Sequence, residues 1–268
     1  MKIITLDIAF SPCPNDTFIF HAMVSGSMDT GKFRFIPHLE DVESLNSKAF
    51  NNTFPVSKLS FYAYLMLKDH YEILDSGGAL GYGCGPLLVG KSPAVPGPAA
   101  KIAIPGKLTT AHLLLKLWNP EFTNIEITRF DKIMEGVLSC RYDAGLIIHE
   151  GRFVYPRYGL KKIVDLGEWW EKETGLPIPL GCIAIRKEQP FHSYKQELES
   201  ILKRSVTHAF DNRIASRAFI KIHAQELEYN VINGHIDLYV NSFTLSLGKT
   251  GNSAIQKLEE LAKAKGLL

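Results

Sequence analysis

Cysteine is scarce in this sequence. Its four copies, Cys13, Cys84, Cys140 and Cys182, are scattered, with no C-x-x-C pair among them. No histidine stands at metal-ligand spacing from any of them, so reduced thiols and no metal are expected. A dominant charge is also missing: 30 Lys and Arg against 28 Asp and Glu leave a net charge of +2. No basic run is long enough to mark a nucleic-acid partner, and no apolar stretch approaches a membrane span. At the N-terminus a single Lys2 precedes a short apolar run that Asp7 interrupts, and no small-residue cleavage site follows. That is not a secretion signal, and a cytoplasmic protein is expected. The patterns G-x-x-x-x-G-K-S/T, H-E-x-x-H and G-x-S-x-G are absent as well.

What is present is an ordinary globular composition, 46% hydrophobic and 22% charged over 268 residues, enough to bury one large core or two lobes. Short apolar runs alternate with amphipathic stretches, which predicts an α/β layered fold. Strands are expected at 3–10, 33–38, 53–56, 72–76, 87–89, 101–104, 126–129, 144–148 and 181–185. Helices are expected at 17–23, 42–50, 61–67, 110–118, 132–139, 167–174, 196–209, 214–223, 225–240 and 253–265. The segment 91–98, rich in proline and small residues, is the best linker candidate. Alternation resumes at Lys101 and ends near Ile185, after which the chain is almost wholly helical. This predicts one lobe from 1–90 plus 186–268 and a second from 91–185. The two crossings would lie near Val89–Gly90 and Ala184–Arg186, with a ligand cleft between the lobes.

Three polar segments stand between a predicted strand and a predicted helix, where open α/β sheets bind ligands. In Ser11-Pro12-Cys13-Pro14-Asn15-Asp16-Thr17-Phe18 two prolines stiffen the loop, and Asn15 or Asp16 can cap a helix starting near Thr17. Thr109-Thr110-Ala111 follows a Pro105-Gly106 turn. A threonine hydroxyl and free helix N–H groups there can hold a carboxylate, or the threonine can be a simple cap. Val56-Ser57-Lys58-Leu59-Ser60 repeats the construction, with Lys58 either a positive charge for the site or a solvated side chain. His149 ends the apolar run Ala144-Gly145-Leu146-Ile147-Ile148, at the carboxyl end of what reads as a central strand. There it is either a general base at neutral pH or a structural histidine bonded to backbone. The other histidines sit in helical or loop contexts and make weaker cases. The cluster Gly77-Gly78-Ala79-Leu80-Gly81-Tyr82-Gly83-Cys84-Gly85-Pro86 precedes a strand and is closed by proline, so it is not a dinucleotide fingerprint.

Taken in order, Ser11-Pro-Cys-Pro-Asn-Asp-Thr-Phe18, Lys58-Leu59-Ser60, Ser76-Gly77-Gly78-Ala79-Leu80-Gly81, Thr109-Thr110-Ala111 and Gly145-Leu-Ile-Ile-His-Glu150 resemble the 1,4-dihydroxy-6-naphthoate synthase family. So do Tyr155-Pro-Arg-Tyr-Gly159, Val164-Asp-Leu-Gly167 and Leu238-Tyr-Val-Asn241, and the resemblance spans nearly the whole chain. It implies a two-lobed type-II periplasmic-binding-protein-like fold with an interlobe cleft. It also implies a cofactor-free lyase of the futalosine route to menaquinone, which converts cyclic dehypoxanthinyl futalosine to 1,4-dihydroxy-6-naphthoate.

Carried over by resemblance, His149 is the proton acceptor. Lys58-Leu59-Ser60 and Thr110-Ala111 contact substrate, with Asn15, Asp16 and Thr109 as polar lining of the same pocket. The expected partner is a small-molecule carboxylate, with no nucleic acid or membrane. Two alternatives on the same fold are a solute-binding protein for a small carboxylate and a chorismate dehydratase. The Ser-Pro-Cys-Pro-Asn-Asp run argues against the latter, and receptors of the former kind are normally exported. Cys13 reads as inert packing, and Cys84 has no assigned role.

Overall fold

The apolar run after Lys2 forms β1 (Ile4–Phe10), whose last three residues are buried. It pairs in parallel with β2 (Phe33–Leu39) on one side and β3 (Val56–Ser60) on the other. Beyond these come β4 (Tyr71–Ile73), β5 (Ala79–Gly81), β6 (Leu87–Gly90), β7 (Ile102–Ile104), β8 (Ile125–Ile127), β9 (Ala144–Ile147), β10 (Lys161–Asp165) and β11 (Ile178–Arg186). The helices are α1 (Pro14–Val24), α2 (Val42–Phe50), α3 (Phe61–Met66), α4 (Thr110–Trp118), α5 (Ile133–Leu138) and α6 (Gly151–Val154). They continue as α7 (Leu166–Thr174), α8 (Lys195–Asp211), α9 (Arg217–His223), α10 (Tyr229–Tyr239), α11 (Ser242–Leu245) and α12 (Gly248–Ala264). The computed structural model describes residues 2–224 and 228–268. The first residues of the helix expected at 225–240 therefore lie outside the described residues.

The strands form two sheets. One runs β2-β1-β3-β11-β4 with β5 also on β11, and the other runs β10-β6-β9-β7-β8. The chain enters the second sheet at β6 and leaves it before β11, so both crossings fall elsewhere than the sequence suggests. β6 pairs antiparallel with β9 and β10, which places Leu87–Gly90 in the second lobe. β11 pairs with β3, β4 and β5, which places all of Ile178–Arg186 in the first. The lobe boundaries expected near 90 and 185 thus become a crossing between β5 and β6 and another between α7 and β11. The segment 91–98 is an exposed connection within the second lobe, between β6 and β7. Helices α8, α9 and α10 return to pack on α1, and their apolar faces share a core with Phe10, Phe18 and Phe20.

Two local readings change for a common reason: buried polar side chains find distant partners. The strand expected at 53–56 is instead β3, and its polar residues Ser57, Lys58 and Ser60 are all buried. Asn46 of α2 receives the Ser60 N–H at 2.8 Å and donates to the Ser60 hydroxyl at 3.0 Å. Similarly, α1 starts at Pro14 with Cys13 as its N-cap, and no side chain caps it. Proline suits the first helical position because its missing N–H is not needed there. Asn15 and Asp16 therefore lie inside the first turn and do not cap the helix.

Part of the glycine cluster is a packing device. A Cβ on Gly85 would lie 2.2 Å from the backbone N of Gly167. That close approach brings β6 and the start of α7 together around buried Asp165. Its Oδ1 accepts from Gly167 N at 2.8 Å, and its Oδ2 pairs with Arg152 at 2.6 Å.

Candidate active site

The cleft lies between the two sheets, and its void measures about 660 Å³ with the open mouth included. From the first lobe it is lined by Ser11, Asn15 and Asp16 at the start of α1, by Lys58 and Ser60 of β3, and by Leu180 and Gly181 of β11. From the second it is lined by Thr109, Thr110 and Ala111 at the start of α4 and by Ile148 and His149 after β9. Val42, Ala79, Cys84, Pro86, His235 and Tyr239 complete the wall. Every residue expected at the site lines this cleft except Leu59. That side chain is fully buried in the core, and its backbone pairs with Cys182 of β11.

His149 stands two residues beyond β9 with φ +56°, in the left-handed region. Histidine tolerates that region better than most side chains. The turn swings the chain from the strand into α6 and leaves the imidazole on the cleft wall. Its ring packs edge-on against Phe130 with centroids 5.1 Å apart, and it lies 6.2 Å from the His235 ring, nearly parallel to it. Nδ1 is 3.4 Å from the Cys13 sulfur. The first loop therefore touches the imidazole directly, which packing alone did not lead one to expect.

Burial holds the pKa of His149 below its ordinary value, against the opposing pull of Glu150 and Asp16. The imidazole is accordingly neutral at pH 7, as a base requires. Burial, with Glu150 adding to it, pushes the Cys13 thiol up, so the sulfur stays protonated and is no nucleophile at neutral pH.

Lys58 is not a solvated side chain. Its side chain is 7% exposed, and Nζ lies 2.6 Å from Asp16 Oδ1. Asp16 is saturated with donors. Oδ1 also accepts from Asn15 Nδ2 at 2.8 Å, and Oδ2 accepts from Ser11 Oγ at 2.7 Å and Ser11 N at 3.2 Å. A buried carboxylate is retained on such terms.

The two threonine hydroxyls serve the fold. Thr109 is a simple N-cap: its oxygen accepts from His112 N at 3.2 Å and its hydroxyl donates to Gly106 O at 2.8 Å. Thr110 donates to Leu180 O at 2.7 Å and accepts from Tyr62 N, tying α4 to the first lobe. The N–H groups of Thr110 and Ala111 have no partner among the described residues. The α4 N-terminus can therefore receive an anion through backbone N–H groups, with no hydroxyl taking part.

Sequence reasoning missed His235 and Tyr239. Both are buried, and they lie one helical turn apart on α10. Their spacing, four residues on one helix face, is the signal that was available. His235 Nε2 lies 2.9 Å from Asn15 Oδ1. Burial, together with the neighbouring His149 and Lys58, holds its pKa well below the ordinary value. Burial pushes the Tyr239 phenol up, and it raises the Cys84 thiol to about 12, so neither ionises at neutral pH. Among the described residues, no group of three or more His, Cys, Asp or Glu is placed to hold a metal ion, and no helix is long and apolar enough to cross a membrane.

Both histidines make stability depend on pH in the same direction. With folded-state pKa values depressed, the unfolded chain binds protons below pH 6.5 that the folded chain does not. Stability is thus expected to fall as pH drops through 6.5 towards the folded-state values. Thermal melts from pH 7.5 to 5 check the sign, and a melting temperature that rises on acidification contradicts it.

Several known proteins are similar to this chain in sequence or in architecture. A 1,4-dihydroxy-6-naphthoate synthase from Thermus thermophilus is 45% identical over 98% of this chain and 95% of its own length. One from Streptomyces coelicolor is 40% identical over 100% of this chain and 96% of its own. A crystal structure of a protein from Archaeoglobus fulgidus superposes with a TM-score of 0.93 at 37% identity, covering 98% of both chains. The alkanesulfonate-binding protein of Xanthomonas axonopodis bound to MOPS gives a TM-score of 0.70 at 14% identity, over 100% of this chain and 95% of that one. That last likeness concerns the fold alone: two α/β lobes of the periplasmic-binding-protein type with a cleft between them. The family described as menaquinone biosynthesis matches residues 6–264, and the chain belongs to that family.

Proposed function

We propose that this protein is a cofactor-independent carbon–carbon lyase that converts cyclic dehypoxanthinyl futalosine to 1,4-dihydroxy-6-naphthoate, with His149 as the general base. The observation that carries the reading is the neutral imidazole of His149, held at a left-handed turn on the wall of an interlobe cleft. Two relatives at 40% and 45% identity carry the name of that synthase, which supports the substrate assignment.

In this reading the substrate's carboxylate sits at the α4 N-terminus, on the N–H groups of Thr110 and Ala111. Lys58, paired with Asp16, lies on the same wall. The Ser60 hydroxyl, which accepts from Asn46, keeps its own proton to donate to substrate. The ring system lies along Ile148, Leu180 and Tyr239. In this reading the Cys13 sulfur, 3.4 Å away, accepts from His149 Nδ1–H, which leaves Nε2 as the lone-pair nitrogen. Nε2 takes a substrate proton, and the carbon–carbon bond breaks with its electron pair passing into the ring. The excised fragment departs, and the imidazolium returns the proton to the naphthoate, whose gain of aromaticity drives the step forward. In this reading the helix N-terminus, the Ser60 hydroxyl and the acceptor imidazole surround one anionic, ring-bearing substrate.

Purified protein incubated with cyclic dehypoxanthinyl futalosine is expected to release 1,4-dihydroxy-6-naphthoate, and with chorismate to release nothing. Binding without turnover would point to a solute receptor, and dehydration of chorismate to the other lyase on this fold. Because burial depresses the pKa of His149, kcat/KM should hold across neutral pH and fall on an acid limb centred below 6.5. An acid limb centred above 7 would remove His149 from the role of base.

A further inference from the structure

We propose that Nδ1 of His235 is a dedicated hydrogen-bond acceptor for a hydroxyl of the substrate, its tautomer fixed by the chain Lys58–Asp16–Asn15; this rests on the enzymatic reading above. As a carboxylate, Asp16 can only accept. It takes one donor from Lys58 at 2.6 Å and one from the Asn15 amide nitrogen at 2.8 Å. With its nitrogen turned to Asp16, Asn15 must present its oxygen to His235, where it lies 2.9 Å from Nε2. A carbonyl oxygen accepts only, so the proton resides on Nε2. A neutral imidazole carries one N–H, and Nδ1 is left as a bare lone pair.

That lone pair has no partner. His112 Nε2 and His235 Nδ1 are the two buried side-chain atoms without one among the described residues, and of the two histidines only His235 lines the cleft. Orphaned polar atoms of this kind call for a specific explanation, since leaving one unpaired is costly. Of the hydroxyls on the same wall, those of Ser11, Thr109 and Thr110 donate to Asp16, Gly106 and Leu180, and neither Ser60 nor Tyr239, whose ring lies 4.6 Å from that of His235, bonds to Nδ1. Taking up a second proton is also disfavoured, because burial, His149 and Lys58 all oppose a positive charge. What completes the site must therefore be a neutral donor brought into the cleft, and a hydroxyl of a polyhydroxylated substrate has that chemistry. His149 and His235, nearly parallel across 6.2 Å, then divide the work. One takes a proton, and the other accepts a hydrogen bond and keeps the substrate in register.

The decisive variant is His235→Gln. Its amide nitrogen falls near the Nε2 position and can still donate to Asn15, while the Nδ1 acceptor is gone. The expected result is a melting temperature close to wild type with kcat/KM lowered about ten- to a hundredfold. Nitrogen-15 spectra of the wild-type imidazoles supply a second readout that needs no variant. They should show His235 as the neutral Nε2–H tautomer, with its Nδ1 resonance shifting when 1,4-dihydroxy-6-naphthoate is added. Wild-type kcat/KM in His235→Gln means that water alone satisfies Nδ1 and overturns the proposal. So does an Nδ1–H tautomer. If the wild-type protein makes no naphthoate at all, the enzymatic reading falls instead, and the tautomer measurement still stands on its own.

Discussion

Replacing His149 with asparagine is expected to cut naphthoate formation by about 10²- to 10⁴-fold, the usual contribution of a positioned general base. Asparagine is chosen because the residue sits at φ +56°, where it is one of the few side chains comfortable in the left-handed region. The fold should survive, since the imidazole's partners are few: an edge contact with Phe130, the nearly parallel His235 ring and the sulfur of Cys13. Substrate affinity should change little, because the proposed carboxylate and ring contacts lie on α4 and the apolar wall, away from the imidazole. The kinetic signature is therefore a fall in kcat with a nearly unchanged KM, together with loss of the acid limb from the pH profile. A variant that melts normally and turns over at the wild-type rate removes the base from the account.

The largest effect on stability is expected at the other end of the site. Asp16→Ala leaves the Lys58 ammonium buried without a counter-charge, a change worth about 3–5 kcal/mol. The side chains are 1% and 7% exposed, so water cannot take over the role of the missing partner. For a domain of this size that corresponds to a fall in melting temperature on the order of 10 °C. Lys58→Met should be comparably damaging, since the Asp16 charge would then rest on Ser11 and Asn15 alone. The double variant Lys58→Met with Asp16→Leu should lose less than the sum of the two singles, because no buried charge remains. It should not return to wild type, since the Ser11 hydroxyl and the Asn15 amide lose their acceptor. Additive losses in the cycle would mean that the two side chains do not stabilise one another.

Much of this molecule was legible in its sequence where the causes are local. The helices at 42–50 and 110–118 came out at their observed bounds, because Asp41 and Thr109 cap them and apolar periodicity fills the rest. His149 stood out because a run as apolar as 144–148 belongs inside a sheet, and a polar end to it needs a reason. What the sequence hides is partnership over distance. Leu87-Leu88-Val89-Gly90 is apolar enough for either sheet, and only its pairing with β9 and β10 decides the lobe. β5 is three residues of a glycine cluster, made a strand by β11. β10 begins with two exposed lysines at the edge of its sheet, a pattern that reads as loop. Lys58 reads equally as a charge for the site or a solvated side chain until Asp16, 42 residues away, is brought beside it. His235 gives no local signal of its contact with Asn15, which is 220 residues distant.

The opening loop changes meaning on the same grounds. From its residues it was a stiff strand-to-helix turn capped by Asn15 or Asp16. In the folded chain those two residues orient His235 and neutralise Lys58, and Cys13 meets His149. The loop touches both imidazoles, so its rigidity bears on the chemistry as well as on the frame.

The most direct test of the central claim is chemical rescue of His149→Gly. Glycine removes the base and accepts φ +56° without strain, and it leaves a space the size of the lost ring. This variant is expected to fold, to bind 1,4-dihydroxy-6-naphthoate and to make almost none of it from cyclic dehypoxanthinyl futalosine. Added imidazole should restore turnover in proportion to its neutral fraction. Turnover near the wild-type rate without imidazole would contradict the claim that His149 takes the proton.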